Sequence, residues 1–180
     1  MKSRPPVFNG FLALLVLALI AGCSTTEERQ RKKELSNFRV HAETGGHADM
    51  SSAISVIRAS PIRLNVEREP LLDENNVEAA TVEEQPGGFV IRVKLDRQGS
   101  WILERATVMQ RGRHLAIHSE FGEHRWLAAP LVTGKNSTGE MVFTPVCTRE
   151  EADRFVRGLN NAVRKLQQKD NWPFPTSVDK

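Results

Sequence analysis

Thr148-Arg149-Glu150-Glu151-Ala152-Asp153-Arg154-Phe155-Val156-Arg157-Gly158-Leu159 is the stretch on which the fold turns. Thr148 and Glu151 stand at capping-box spacing: a hydroxyl accepts from the N–H three residues on, and a carboxylate reaches back to the cap's own N–H. A helix therefore starts here. Beyond it Ala152, Phe155, Val156, Leu159, Val163 and Leu166 recur at steps of three and four, while Arg149, Arg154, Arg157, Arg164 and Lys165 fall mostly elsewhere. Those steps gather the apolar side chains into one stripe, and a helix with one stripe is stable only against another apolar surface. The preceding residues read as strands able to supply it, which predicts a helix laid on a sheet.

Working back from this helix, residues 141–146 form a strand candidate and 134–139 a polar loop. Runs 114–119 and 124–129 flank Glu120-Phe121-Gly122-Glu123 and read as a hairpin, with Leu115 and Ile117 expected to face Trp126 and Ala128. Asp96 is placed to cap a helix over 97–111, where Ile102, Leu103, Ala106 and Met109 recur at helical spacing; Gly112 ends it. Runs 80–84 and 89–95 bracket Pro86-Gly87-Gly88, a second hairpin, with Phe89, Ile91, Val93 and Leu95 on one face. Residues 73–80 read as a short helix, and Ile62, Leu64 and Val66 alternate with Arg63, Asn65 and Glu67 as in a strand with one buried face. The expected domain spans 53–168 and is α+β: a small antiparallel sheet built from hairpins, with two covering helices. An irregular tail, 169–180, holds Trp172 and Phe174.

Composition fits one such domain. Of 180 residues 39% are hydrophobic, about 46% with glycine added, which is ordinary for a globular chain. Lys2 and Arg4 precede an apolar run over 11–21; without them the 25 Lys and Arg become 23, against 22 Asp and Glu. The rest is nearly neutral, so the charge gives no reason to expect a nucleic-acid partner. The apolar run is roughly half the length a membrane-spanning helix needs. Cationic Met1 to Arg4, the apolar run and small residues Ala21-Gly22 are instead the parts of a secretory signal over 1–22.

Ile20-Ala21-Gly22-Cys23 resembles the bacterial lipobox. That resemblance implies cleavage between Gly22 and Cys23 and acylation of the Cys23 thiol, hence membrane lipid as a partner; two chains hold firmly where one holds marginally. Ser24 in place of an aspartate leans toward the outer rather than the inner membrane, on the periplasmic side. The mixed-charge stretch that follows, with Glu27-Glu28-Arg29-Gln30-Arg31-Lys32-Lys33-Glu34 and Gly45-Gly46, has little apolar surface to offset its ordering entropy, so 23–52 is expected to be a flexible tether. With Cys23 acylated, Cys147 has no partner in the chain and reads as a small buried residue rather than a nucleophile.

From about Val56 to Leu166 the chain resembles the first periplasmic head domain of SecD, a subunit of the bacterial protein-export machinery. The resemblance rests on an ordered set: Glu69-Pro70-Leu71-Leu72, Val77-Glu78-Ala79-Ala80, Leu95-Asp96 with Gly99, Leu103 and Thr107, Gly112-Arg113-His114-Leu115-Ala116-Ile117, Ala129-Pro130, and Thr148-Arg149-Glu150-Glu151-Ala152 with Leu159. It departs at His118-Ser119-Glu120-Phe121-Gly122, where the family continues Val-Leu-Asp-Gly. It implies a head-like α+β fold and binding of polypeptide, envelope or translocon partners, without the membrane helices of an export motor.

Motifs for chemistry are sparse. His114 and His118 share a strand face with Glu120 in phase, but the ends lie too far apart along one strand, at roughly 3.3 Å per residue, to hold one ion. There is no Gly-x-Ser-x-Gly, Walker or Gly-x-Gly-x-x-Gly pattern, and adjacent acids such as Glu83-Glu84 point apart. No cofactor, metal or catalytic residue is assigned. The expectation is a non-catalytic interaction or accessory protein of the envelope; the alternatives are an accessory role in Sec-dependent export and an enzyme with a dispersed site. The hairpin over 114–129 and the loop over 134–139 offer the contact candidates His118, Phe121, Arg125, Lys135 and Asn136. Trp126 is divided between a binding surface and the core face.

Overall fold

A computed structural model describes residues 26, 28–45, 51–57, 60–122 and 124–170. The chain divides into two units, Met1–Lys33 and Glu34–Lys180. In the first, residues 28–33 are helical with every described side chain exposed. The expected signal, Gly22, Cys23 and the tail from 171 on lie outside the described residues. Among the described residues no helix is long and apolar enough to cross a membrane.

The second unit is α+β, as expected, but its strands form three antiparallel sheets. In the first, β5 (Gly88–Leu95) lies between β4 (Val77–Gln85) and β8 (Glu140–Phe143). Gly87, at φ +89°, makes the β4–β5 turn that a side chain would strain. The expected helix over 73–80 is only a 3-10 turn, Glu74–Asn76, held by a reciprocal Asp73–Asn76 cap, and Val77 already belongs to β4. Asp96 caps α1 (Arg97–Met109) by accepting from the Gly99 N–H at 2.6 Å. Gly99 is required there because a Cβ would lie 2.8 Å from Asn76.

Helix α2 (Arg149–Asp170) begins at the expected box: Thr148 N donates to Glu151 Oε2 at 2.8 Å, and Glu151 N to Thr148 Oγ1 at 3.2 Å. Its stripe enters the main core with Val77, Ala80, Ile91, Val93 and Leu95. Asn160 satisfies the outer edge of β4, donating to Ala80 O and accepting from Ala80 N, each at 2.9 Å.

The second sheet has the order β1-β6-β7, with β1 (Arg39–Ala42), β6 (Leu115–Glu120) and β7 (His124–Ala128). Strand β1 corrects the expected tether over 23–52. Val40 pairs with Ile117 on one side and bridges Leu72 on the other, and Phe38, Val40 and Ala42 are completely buried. The domain therefore starts near Glu34 rather than at 53, because Phe38, Val40 and Ala42 alternate into the core on a strand bonded along both edges. The third sheet pairs β2 (Ser51–Val56) with β3 (Ile62–Glu67). Their Ile54, Val56, Leu64 and Val66 make a second core against Ala116 and Ala129, on the face of the β1-β6-β7 sheet that looks away from the helices.

The β6–β7 register corrects another expectation. Ile117 pairs with Ala128, but His118 pairs with Trp126, so Leu127 is an extra residue bulged from β7. The bulge sends Leu127 into the main core and Trp126 to the opposite face from Leu115 and Ile117.

Candidate functional site

The bulge creates the most distinctive surface of the protein. Pairing of Arg39 with His118, His41 with Ala116 and Glu120 with His124 brings Arg39, His41, His118, His124 and Trp126 onto one sheet face. The His41 and Trp126 rings meet edge-on at 5.4 Å, His118 tilts against Trp126 at 5.0 Å, and His118 stacks on His124 at 5.9 Å. His41 Nδ1 lies 2.8 Å from Glu67 O; a carbonyl only accepts, so Nδ1 carries the proton.

Burial lowers the pKa of His41, with Arg39 adding to the effect against the opposing hydrogen bond to Glu67. Burial also lowers that of His118, reinforced by His41, His124 and Arg39 and opposed by Glu120. Both imidazoles are therefore held neutral further into mild acid than a free histidine. His124 Nε2 and Glu120 Oε1 are 3.2 Å apart in the open. His114 sits apart from this row, with its N and Nδ1 at 2.7 and 2.8 Å from Glu43 Oε2. Partial burial opposes ionisation of Glu43, but those two bonds outweigh it and lower its pKa. Among the described residues, no three His, Cys, Asp or Glu side chains gather as metal ligands.

Beside the row is an open cleft of about 380 Å³ lined by Ser55, Ile57, His124, Arg125, Trp126 and Val146. Strand β7 is the edge of its sheet; Val146 N already donates to Leu127 O there at 2.7 Å, so the cleft sets apolar walls beside an edge that the chain itself covers at Leu127. Arg125 lines the cleft, but its guanidinium is held on the α2 side of the sheet, 3.2 Å from both carboxylate oxygens of Glu151 and 6.0 Å over the Phe121 ring. Such a cleft can hold an extended chain; it offers no oriented nucleophile. Cys147 is half-buried, and burial first, then Glu151, pushes its thiol up to about 11.

The structure separates the expected contact residues. His118 belongs to this face, whereas Arg125, paired with Ser119, lines the cleft but turns its guanidinium to the other side of the sheet, onto Glu151 and Phe121. Phe121 does not offer a contact: it is 7% exposed, packed 6.2 Å from the Phe155 ring where the β6–β7 turn folds against α2. Lys135 is paired with Glu104 at 2.5 Å, and Asn136 braces its own loop, donating to Glu140 O at 2.8 Å and accepting from Thr138 N at 3.0 Å. Asn136 lines a different depression, of about 260 Å³, with Leu103, Thr107 and Met141. Missed by sequence reasoning were Arg39, His41, Ser55 and Ile57. The alternation of Phe38, Val40 and Ala42 was the available signal for the first two.

No family model matches the chain, and no curated protein matches it. Among solved structures, SecDF in a super-membrane-facing form is similar at TM-score 0.57 and 14% identity, over 77% of this chain and 20% of that one. A structure of SecDF, described as a membrane component that enhances protein export, is similar at TM-score 0.57 and 15% identity, over 77% of this chain and 68% of that one. The chain thus spans about a fifth of the first SecDF chain and about two-thirds of the second. At such identities the likeness is one of fold, and the fold is SecD head-like.

Proposed function

We propose that this protein is a bacterial envelope lipoprotein, anchored by acyl chains on Cys23 after cleavage behind Gly22, whose SecD head-like domain binds extended polypeptide without catalysing a reaction. It faces the periplasm, with Ser24 favouring the outer membrane, and its partners are envelope or translocon-associated proteins and their clients. The observation that carries this reading is the apolar-walled cleft beside the edge strand β7, on a fold shared with an export-enhancing membrane component. A strand laid along β7 before Leu127, whose carbonyl is taken by Val146, would gain main-chain hydrogen bonds whatever its sequence, while Trp126, Ile57 and Val146 select apolar side chains. An accessory role in protein export is the narrower form of the reading, favoured by the same fold likeness.

Among the described residues two His–Glu pairs resemble acid–base couples: that of His114 and Glu43, away from the cleft, and the exposed one of His124 and Glu120 beside it. The side chains of the latter pair are 73% and 47% exposed, so nothing excludes water or orients a substrate, which favours binding over catalysis. The test is fluorescence anisotropy of a labelled, permanently unfolded polypeptide titrated with the protein. Micromolar binding that weakens roughly tenfold or more in Ile57→Asp supports the proposal; Ile57 is 74% exposed, so the change spares the core. No binding, or equal binding by the variant, refutes it.

A further inference from the structure

Helix α1 buries Gly99, Leu103, Ala106 and Thr107 but leaves Trp101, Val108 and Met109 at 78%, 56% and 69% exposure. Trp101, Arg105 and Val108 are spaced four and three apart, so they share one outward stripe, with Arg97 a turn before Trp101. A helix surrounded only by water carries polar groups at such positions. The arginines here are also unusual. Among the described residues, Arg97, Arg105 and Arg111 have no ion-pair partner, and the helix's one acid, Glu104, is occupied by Lys135.

We propose that this face of α1 docks on an anionic lipid bilayer. An indole with aliphatic neighbours suits the headgroup boundary, where its ring is buried and its N–H stays wet. Unpartnered guanidiniums flanking it complement phosphates, to which they bind as planar forks. The bilayer is also the surface within reach, and this clause rests on the anchoring proposed above. Glu34, where the folded unit starts, is eleven residues from Cys23, a span of at most roughly 40 Å when fully extended. Confinement at that range lets a weak interfacial affinity suffice. Docked on α1, the tethered domain would have a defined orientation instead of a free swing.

The test uses the mature chain from residue 23 on, carrying Cys23→Ser so that no acyl chain contributes, in cosedimentation with vesicles of phosphatidylethanolamine and phosphatidylglycerol or of phosphatidylcholine alone. The expected result is binding to the anionic vesicles at least roughly tenfold above the neutral ones, largely lost at about 0.5 M salt. Trp101→Ala and the pair Arg97→Gln with Arg105→Gln should each reduce it about tenfold, with unchanged thermal melts, while Leu35→Ala leaves it intact. Absence of vesicle binding, equal binding to both vesicle types, or indifference to these substitutions overturns the proposal. Acylation of Cys23 is read separately, by intact mass of the native protein, so either idea can fail alone.

Discussion

Phe38→Ala removes a ring that is completely buried, in a segment whose composition reads as tether. It shares the main core with Val40, Leu72, Ile117, Phe155 and Leu159, drawn from β1, β6, α2 and the segment before the 3-10 turn. They cannot all collapse into the void at once, so both the transfer and the cavity contributions are lost, about 3–5 kcal/mol together. Domains of this size are stable by roughly 5–15 kcal/mol in total. At about 2–4 °C per kcal/mol, the melting temperature should fall by about 10 °C. Thermal melts by circular dichroism read this directly, with urea titration checking that the midpoint moves while the slope is retained. Leu35→Ala, at a half-exposed side chain three residues away, should change stability by less than about 0.5 kcal/mol. If Phe38→Ala behaves like Leu35→Ala, β1 is not part of the folded core and the assignment of residues 34–45 to the domain fails.

The lowered pKa values of His41 and His118 make stability depend on pH with a definite sign. The unfolded chain takes up protons on these imidazoles near their ordinary value while the folded one resists, so stability is full above about pH 6.5 and declines as pH falls through the folded values. Melts from pH 7.5 to 5 should show that decline, flattened in His41→Gln/His118→Gln; an unchanged slope in the double variant refutes the cause. Gly158→Ala should destabilise by about 1–3 kcal/mol in urea titration, because its Cβ would press on Ser36 Oγ and lie 2.9 Å from Ser36 N and 3.1 Å from Leu35 C. A neutral effect would mean that this segment does not cross α2 so closely. The Cys147 thiol, raised to about 11, should react with iodoacetamide at pH 8 far more slowly in the native protein than in urea. Equal rates would contradict its burial.

The readable parts of this fold were those with a local signature. The Thr148–Glu151 box, the α2 stripe, the Asp96 cap and the Gly87 turn are each written within a few residues, and each holds in three dimensions. What was hidden depends on distant partners. Strand β1 is four residues long and is stabilised by Ile117 and Leu72, far along the chain. Two faint signals pointed to it: the alternation of Phe38, Val40 and Ala42, and a glycine at 158 inside an amphipathic helix, which marks a close backbone approach. The site was half legible for the same reason. His118 and Arg125 lie on a recognisable hairpin, but the one-residue bulge at Leu127 turns Trp126 to the other face, and a period-two pattern does not reveal a bulge. Phe121 looked like an exposed turn aromatic because the packing of that turn under α2 is set by Phe155, 34 residues on.

The most direct test of a tethered module that holds extended polypeptide is photocrosslinking in living cells from position 57, at the mouth of the cleft, with Cys23 intact. The account predicts adducts with exported, not yet folded polypeptides, increasing when export is overloaded and absent when the crosslinker is moved to position 35. Failure to trap any such chain from position 57 under export load would contradict it.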